Sequence, residues 1–235
     1  MRIGAIILSR MDSTRFPGKA LASVGGKPLL AFVLSFCQKI HGLDVVAIAT
    51  SSRRVDNPLL DFANLHGIPC IRGSTNNVAS RFLLAMEALN LDAAIRINGD
   101  SPLNNTQLLS DGIRLFKRGN YDLVSNVPAR TYPYGMSLEV VGKTAMARAC
   151  RLMTTASHRE HVTKYFYDNS DDFSFFLVES GNPDFADVQL AIDTAEDFER
   201  FKWIIDRLEC DVADADISSL VRLSKEYFLN AGKSG

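Results

Sequence analysis

The chain has 235 residues with 26 basic and 27 acidic side chains, a formal net charge of −1 at pH 7. At about 100–200 residues per domain this is one full-sized domain spanning 1–235. A hydrophobic fraction of 46% with 23% charged residues suits a globule with a substantial core and excludes disorder and collagen-like repeats. Without a basic excess, the whole-chain field gives no reason to expect wrapping around nucleic acid or adhesion to an anionic membrane, so any bound anion must be gripped locally.

Short apolar runs alternate with longer amphipathic stretches through the first half, the period change expected of repeated βα units and a largely parallel sheet. This predicts strands over 3–8, 45–49, 68–71, 93–97 and 122–125, separated by helices near 28–40, 58–66, 78–89 and 106–118. Beyond Asn126 the pattern loosens. A stretch rich in Pro and Tyr leads to a strand at 137–141 and helices at 143–153 and 158–168, so that residues of about 127–170 read as an excursion after the central strands. Runs at 173–178 and 188–192 restore strand character, and helices at 195–208 and 218–229 close the chain. The fold class is α/β, with a mostly parallel sheet flanked by helices.

Cys37, Cys70, Cys150 and Cys210 form no short pair and read as buried small hydrophobes. The opening apolar run is too short for a secretory signal, and no stretch approaches the 18 or so apolar residues of a membrane span. A cytoplasmic address is the expectation.

The loop 9–19 follows the first strand and places Arg10, Arg15 and Lys19 against a single acid, Asp12. In an open α/β sheet, ligands bind at the carboxyl ends of strands. Three cations there, with exposed backbone amides, suit a polyphosphate. The bland alternative is a solvated loop. Neither the dinucleotide glycine pattern nor the P-loop pattern fits. Gly25-Gly26-Lys27-Pro28 reads as a turn into a helix, with Lys27 near the same edge.

Arg96-Ile97-Asn98-Gly99-Asp100 ends an apolar strand in a turn that holds a carboxylate at the sheet edge, and Asp193 repeats this after 188–192. Asp193 precedes Thr194-Ala195-Glu196-Asp197, whose spacing resembles a capping box. Two such carboxylates can share a Mg2+, which prefers oxygen ligands and bridges to phosphates. Taken singly, each is more often a turn or cap residue than a ligand; taken with the cationic loop, the balance reverses. His158 and His161 fall three apart on the expected helix 158–168, which suits an acceptor cluster or interface patch better than zinc.

Together, Arg10-Met11-x-Ser13-Thr14-Arg15-x-Pro17-Gly18-Lys19, Gly25-Gly26-Lys27-Pro28-Leu29, Ala49-Thr50-Ser51, Arg72-Gly73-Ser74, Arg96-Ile97-x-Gly99-Asp100-x-Pro102-Leu103, Ser125-Asn126-Val127, Arg159-Glu160-His161-Val162-Thr163 and Asp193-Thr194-x-Glu196-Asp197 resemble the cytidylyltransferases that activate acidic sugars. The likeness is strongest to the branch named for spore-coat polysaccharide biosynthesis and runs from Ile3 to about Arg207. It implies a nucleotide-binding α/β fold, CTP and Mg2+ as reaction partners, an acidic small-molecule acceptor, release of diphosphate, and a homodimer.

By the same resemblance Arg10, Ser13, Arg15 and Lys19 hold the triphosphate, with Arg10, Arg15 and Lys19 as the catalytic cations. Leu8, Ser9, Thr50, Ser51, Arg72, Gly73, Ser74, Arg81, Asn98, Gly99 and Asp100 complete the nucleotide site. Asn126, Glu139, Arg159, Glu160 and His161 lie toward the acceptor, and Asp100 and Asp193 bind the metal.

Four positions depart from the family pattern. Asp12 stands where relatives have Gly, adding a negative charge beside the triphosphate and removing the residue best suited to unusual backbone angles. Ser80, Tyr134 and Ser137 stand where relatives have acids, which suggests an acceptor with more negative charge or fewer hydroxyls. A GTP- or sugar-1-phosphate-type nucleotidyltransferase of similar fold, and a nucleotide-binding homologue without catalysis, remain as alternatives at this level.

Overall fold

In the computed structural model, which describes residues 1–231, the apolar runs assemble into one seven-stranded sheet. In chain order the strands are β1 (Ile3–Leu8), a hairpin of β2 (Ser23–Val24) and β3 (Lys27–Pro28), β4 (Val45–Ser51), β5 (Cys70–Gly73), β6 (Ala93–Asn98), β7 (Leu123–Ser125), β8 (Glu139–Gly142) and β9 (Phe175–Leu177). Setting the hairpin aside, the sheet order is β5-β4-β1-β6-β8-β7-β9, and only β8 runs antiparallel to its neighbours. β4 and β5 extend from one side of β1, while β6 pairs on the other. The direction of growth therefore reverses between β1 and β6, and the loops leaving their carboxyl ends part into a crevice.

Alternating side chains assign each strand to two apolar layers. Ile3, Ala5 and Ile7 of β1 pack with α1 (Leu29–Lys39), α2 (Asn57–Leu65) and α4 (Thr106–Arg118). Ile6 faces the opposite layer, built by α3 (Val78–Ala88), α5 (Lys143–Leu152) and Phe166 of α7 (Lys164–Asp168). A third apolar cluster joins α8 (Ala195–Ile205) and α9 (Ile217–Ala231) to Leu29, Leu190 and Ile192.

Several sequence expectations change. Residues 188–192 form no strand: one bridge joins Gln189 to Tyr134, and the Leu190 and Ile192 amides donate to Tyr134 and Asp100 carbonyls. The run's apolar character belongs to the third cluster instead of a sheet position. The helix expected at 158–168 breaks into α6 (Ala156–Glu160) and α7, because Val162 and Thr163 turn inward and are buried. Residues 127–170 do not stand apart from the sheet, since they supply β8 between β6 and β7. Lys27 lies exposed on the hairpin and lines no part of the crevice. Only Cys37 is buried; Cys70 and Cys150 are partly covered and Cys210 is exposed.

Helix α4 crosses the entry to β8 at Gly112, where a Cβ would overlap the Leu138 Cδ1 atom. Leu138 is fully buried and cannot move outward. Gly112→Ala is expected to destabilise the fold by about 1–3 kcal/mol through overpacking, measured as a lowered urea midpoint with an unchanged slope.

Candidate active site at the carboxyl edge of the sheet

The loop after β1 is closed by the Gly18 amide, which donates to the Met11 carbonyl at 2.8 Å. Gly18 has φ +74°, a conformation that favours glycine. The closure delivers Lys19 into the crevice. Its ammonium is 2.7 Å from the Asp100 Oδ2, 2.8 Å from the Ile192 carbonyl and 3.5 Å from the Asp193 Oδ1. The Arg15 guanidinium reaches the same Asp193 oxygen at 2.9 Å. The two carboxylates read from the sequence as metal ligands therefore converge, each already paired with a cation of the loop.

Backbone geometry fixes the carboxylates. The Gly99 amide donates to the Leu8 carbonyl at 2.9 Å, and a Cβ on Gly99 would lie 2.8 Å from the Ser9 side chain. Only glycine permits this close crossing of the β1 and β6 ends, which carries Asp100 into place. Asp193 is held by α8: its amide donates to Asp197, and Thr194 and Asp197 form the reciprocal capping box that their spacing predicts.

Asp12 does not oppose the phosphates as an unpaired charge. Its carboxylate pairs with Arg53, with Arg10 3.8 Å away, and the Arg53 hydrogen bond holds it below the ordinary carboxylate range. Its backbone does not adopt positive φ, so the glycine of the family pattern is not missed on conformational grounds. Arg53 belongs to a corner organised by Asp56, which is fully buried. Asp56 accepts from the Met11 amide at 2.7 Å and from the Ser51 hydroxyl. Sequence inspection misses Asp56 because its bond to the Met11 amide spans the fold, and its side chain makes no capping bond to the helix it precedes.

A cavity of about 360 Å3 lies over this edge, lined by Leu8, Ser9, Arg10, Ser13, Arg15, Lys19, Arg81, Asn98, Gly99 and Asp100 of the expected nucleotide set. Arg81 is only 2% exposed. It donates to the Ser74 carbonyl while its Nε has no partner. Burial, then repulsion from Arg10, brings its guanidinium down to about 10. Thr50, Ser51, Arg72, Gly73 and Ser74 do not line the cavity. Arg72 spends its donors on the Ser51 and Arg53 carbonyls and Asn57, so it builds the corner behind the site.

A second cavity, of about 660 Å3, shares Arg96, Asn98, Asp100, His161 and Asp193 with the first. Its floor is Glu139, which accepts from Arg96, Thr163 and, at 2.7 Å, Tyr167. Burial and the Glu139 charge push the Tyr167 hydroxyl up. Burial alone would lower the Arg96 guanidinium, but the Glu139 carboxylate raises it overall. Arg96, Thr163 and Tyr167 carry this floor, and no local pattern announces their meeting. His161 faces both cavities, and Glu160 reaches Arg10 at 3.2 Å. His158 instead pairs with Asp168 at 2.9 Å, so the two histidines form no common patch. Arg159 is exposed and lines neither cavity, and Asn126 uses its amide to tie the β7 end to Met136 and Leu138.

Among the described residues no three His, Cys, Asp or Glu side chains converge as a closed metal cage. Two carboxylates around a point already occupied by a cation do fit Mg2+, which leaves its other positions to water and phosphate oxygens.

The family profile described as cytidylyltransferase matches residues 4–234. The chain belongs to the cytidylyltransferase family. It is 31% identical over 228 residues to the spore coat polysaccharide biosynthesis protein SpsF of Bacillus subtilis, covering 93% of this chain and 92% of that one. A cytidylyltransferase from Leptospira borgpetersenii superposes with a TM-score of 0.90 at 27% identity, over 97% of this chain and 96% of its own. The CMP:2-keto-3-deoxy-manno-octonic acid synthetase complexed with CTP shares the fold, with a TM-score of 0.65 at 16% identity over 88% and 99% of the two chains. No helix among the described residues is long and apolar enough to cross a membrane.

In this cytidylyltransferase, Asp56→Ala leaves the Met11 amide and Ser51 hydroxyl without their acceptor. A loss of about 1–3 kcal/mol is expected, together with faster hydrogen exchange at the Met11 amide; unchanged exchange would show that Asp56 does not hold the loop.

Proposed function

We propose that the chain transfers CMP from CTP to an acidic sugar or related acidic acceptor and releases diphosphate. The observation that carries this reading is the meeting of the two cavities at Asp100 and Asp193, with a cationic loop on one side only. A triphosphate in the smaller cavity would present its α-phosphorus at that junction. An acceptor oxygen entering from the larger cavity then attacks in line, forming a P–O bond as the bond to the bridging oxygen of diphosphate breaks.

This chemistry needs no protein nucleophile. Positioning and neutralisation of charge carry it. Arg10, Arg15 and Lys19 offer donors to phosphate oxygens and offset charge that develops on the leaving diphosphate. Asp100 and Asp193 would hold Mg2+, which when bound supplies charge to the phosphate oxygens and acidifies the acceptor hydroxyl. Ser51 and Arg72 act through the corner that supports Arg53 and Asp12. Glu139 keeps Arg96 extended at the junction.

The larger cavity also supports the acidic acceptor. Arg96 and Lys164 line it already paired with Glu139 and Asp168, which leaves Arg130 and His161 as the basic side chains toward an acceptor, and Tyr134 and Ser137 occupy positions where the family pattern has acids. An acceptor with more negative charge or fewer hydroxyls than a nonulosonic acid, such as a phosphonate, matches such a wall.

Diphosphate release is expected with CTP, Mg2+ and members of an acidic acceptor panel, and Asp100→Asn should lower it by at least about a hundredfold with the melting temperature retained. Unchanged release would remove Asp100 from the reaction, and a strict preference for a neutral polyol would contradict the acidic acceptor.

A further inference from the structure

We infer that Lys19 is a built-in occupant of the metal position, so that a divalent cation enters only together with the nucleotide. The inference rests on the proposed metal role of Asp100 and Asp193. The Lys19 side chain is 11% exposed, and its ammonium has both carboxylates and the Ile192 carbonyl within 3.5 Å. These are oxygen donors, the kind a hard cation takes. Arg15 supplies a second positive charge at the shared Asp193 oxygen.

Two carboxylates and two cations leave the cluster formally neutral before anything binds. A dication arriving alone must displace Lys19 or lie beside it. Displacement sends an ammonium out of a mostly buried position where three oxygens satisfy it, with no new anion to receive it. Coexistence sets a double positive charge beside Arg15 and Lys19 in a partly dry crevice, where like charges repel more strongly than in water.

A polyphosphate removes both obstacles. Its oxygens receive Lys19 and Arg15, and the same oxygens complete the coordination of the incoming ion. The stem of Lys19 is anchored to allow this, since its residue begins the turn Lys19–Leu21 directly after the closed loop. Only the side chain has to move. The ordered entry therefore follows from charge balance without any change in backbone.

Direct binding of Mn2+, read from the loss of the free-ion electron paramagnetic resonance signal, tests this without turnover. Without nucleotide, Lys19→Met is expected to bind Mn2+ at least about tenfold more tightly than the unsubstituted protein. The gain should disappear in the Lys19→Met, Asp100→Asn double variant. Lys19→Gln repeats the comparison if the Met variant melts early. Equal Mn2+ affinity with and without Lys19 overturns the inference, as does a gain that survives loss of Asp100. A separate arm adds CTP to the unsubstituted protein. The triphosphate takes up Mn2+ by itself, so the support for the metal role of the carboxylates is uptake that exceeds the sum for protein alone and CTP alone and that falls in Asp100→Asn; its failure is distinguishable from failure of the Lys19 inference.

Discussion

An ammonium held between two carboxylates joins three stretches of chain that are far apart in sequence. Lys19 comes from the loop after β1, Asp100 from the end of β6, and Asp193 from the approach to α8. Much of the surrounding architecture serves that meeting. The reversal of strand order between β1 and β6 opens the crevice, Gly99 lets the two strand ends touch, and the capping box at Thr194 sets the angle at which Asp193 enters. A near-neutral chain can thus be strongly polarised at one edge, because its charges are paired locally and not spread.

The corner around Asp56 extends the same logic one shell outward. A buried carboxylate holds the backbone of Met11 and the hydroxyl of Ser51, and Arg53 above it takes up Asp12. An acid at position 12 conflicts with a triphosphate only when the loop is considered alone. With Arg53 against it, the acid becomes a strut between the loop and the β4 end. The opposite wall depends on Glu139, whose oxygens serve Arg96, Thr163 and Tyr167. A carboxylate that accepts from three donors positions its neighbours in the wall it lines.

Much of this was legible in the sequence, for identifiable reasons. The strands of the first half show because each is an apolar run of the right length between amphipathic stretches. Asp100 shows because a Gly-Asp turn closes such a run. Asp193 shows for a partly wrong reason, since the run before it packs under α8 and forms no strand. Asp56, Arg53, Thr163 and Tyr167 stay hidden because their roles arise from pairings across the fold, which no local pattern encodes. The break at His161 is hidden as well: helical spacing runs through it, and only the inward pull on Val162 and Thr163 ends the helix.

The crevice between β1 and β6 is proposed to recognise a cytidine triphosphate with its metal. Thermal unfolding with CTP, GTP or UTP, each with Mg2+, tests it most directly, since a ligand that binds only the native state raises its apparent stability. CTP with Mg2+ is expected to raise the melting temperature more than GTP or UTP at equal concentration. Selective stabilisation by GTP would contradict the account.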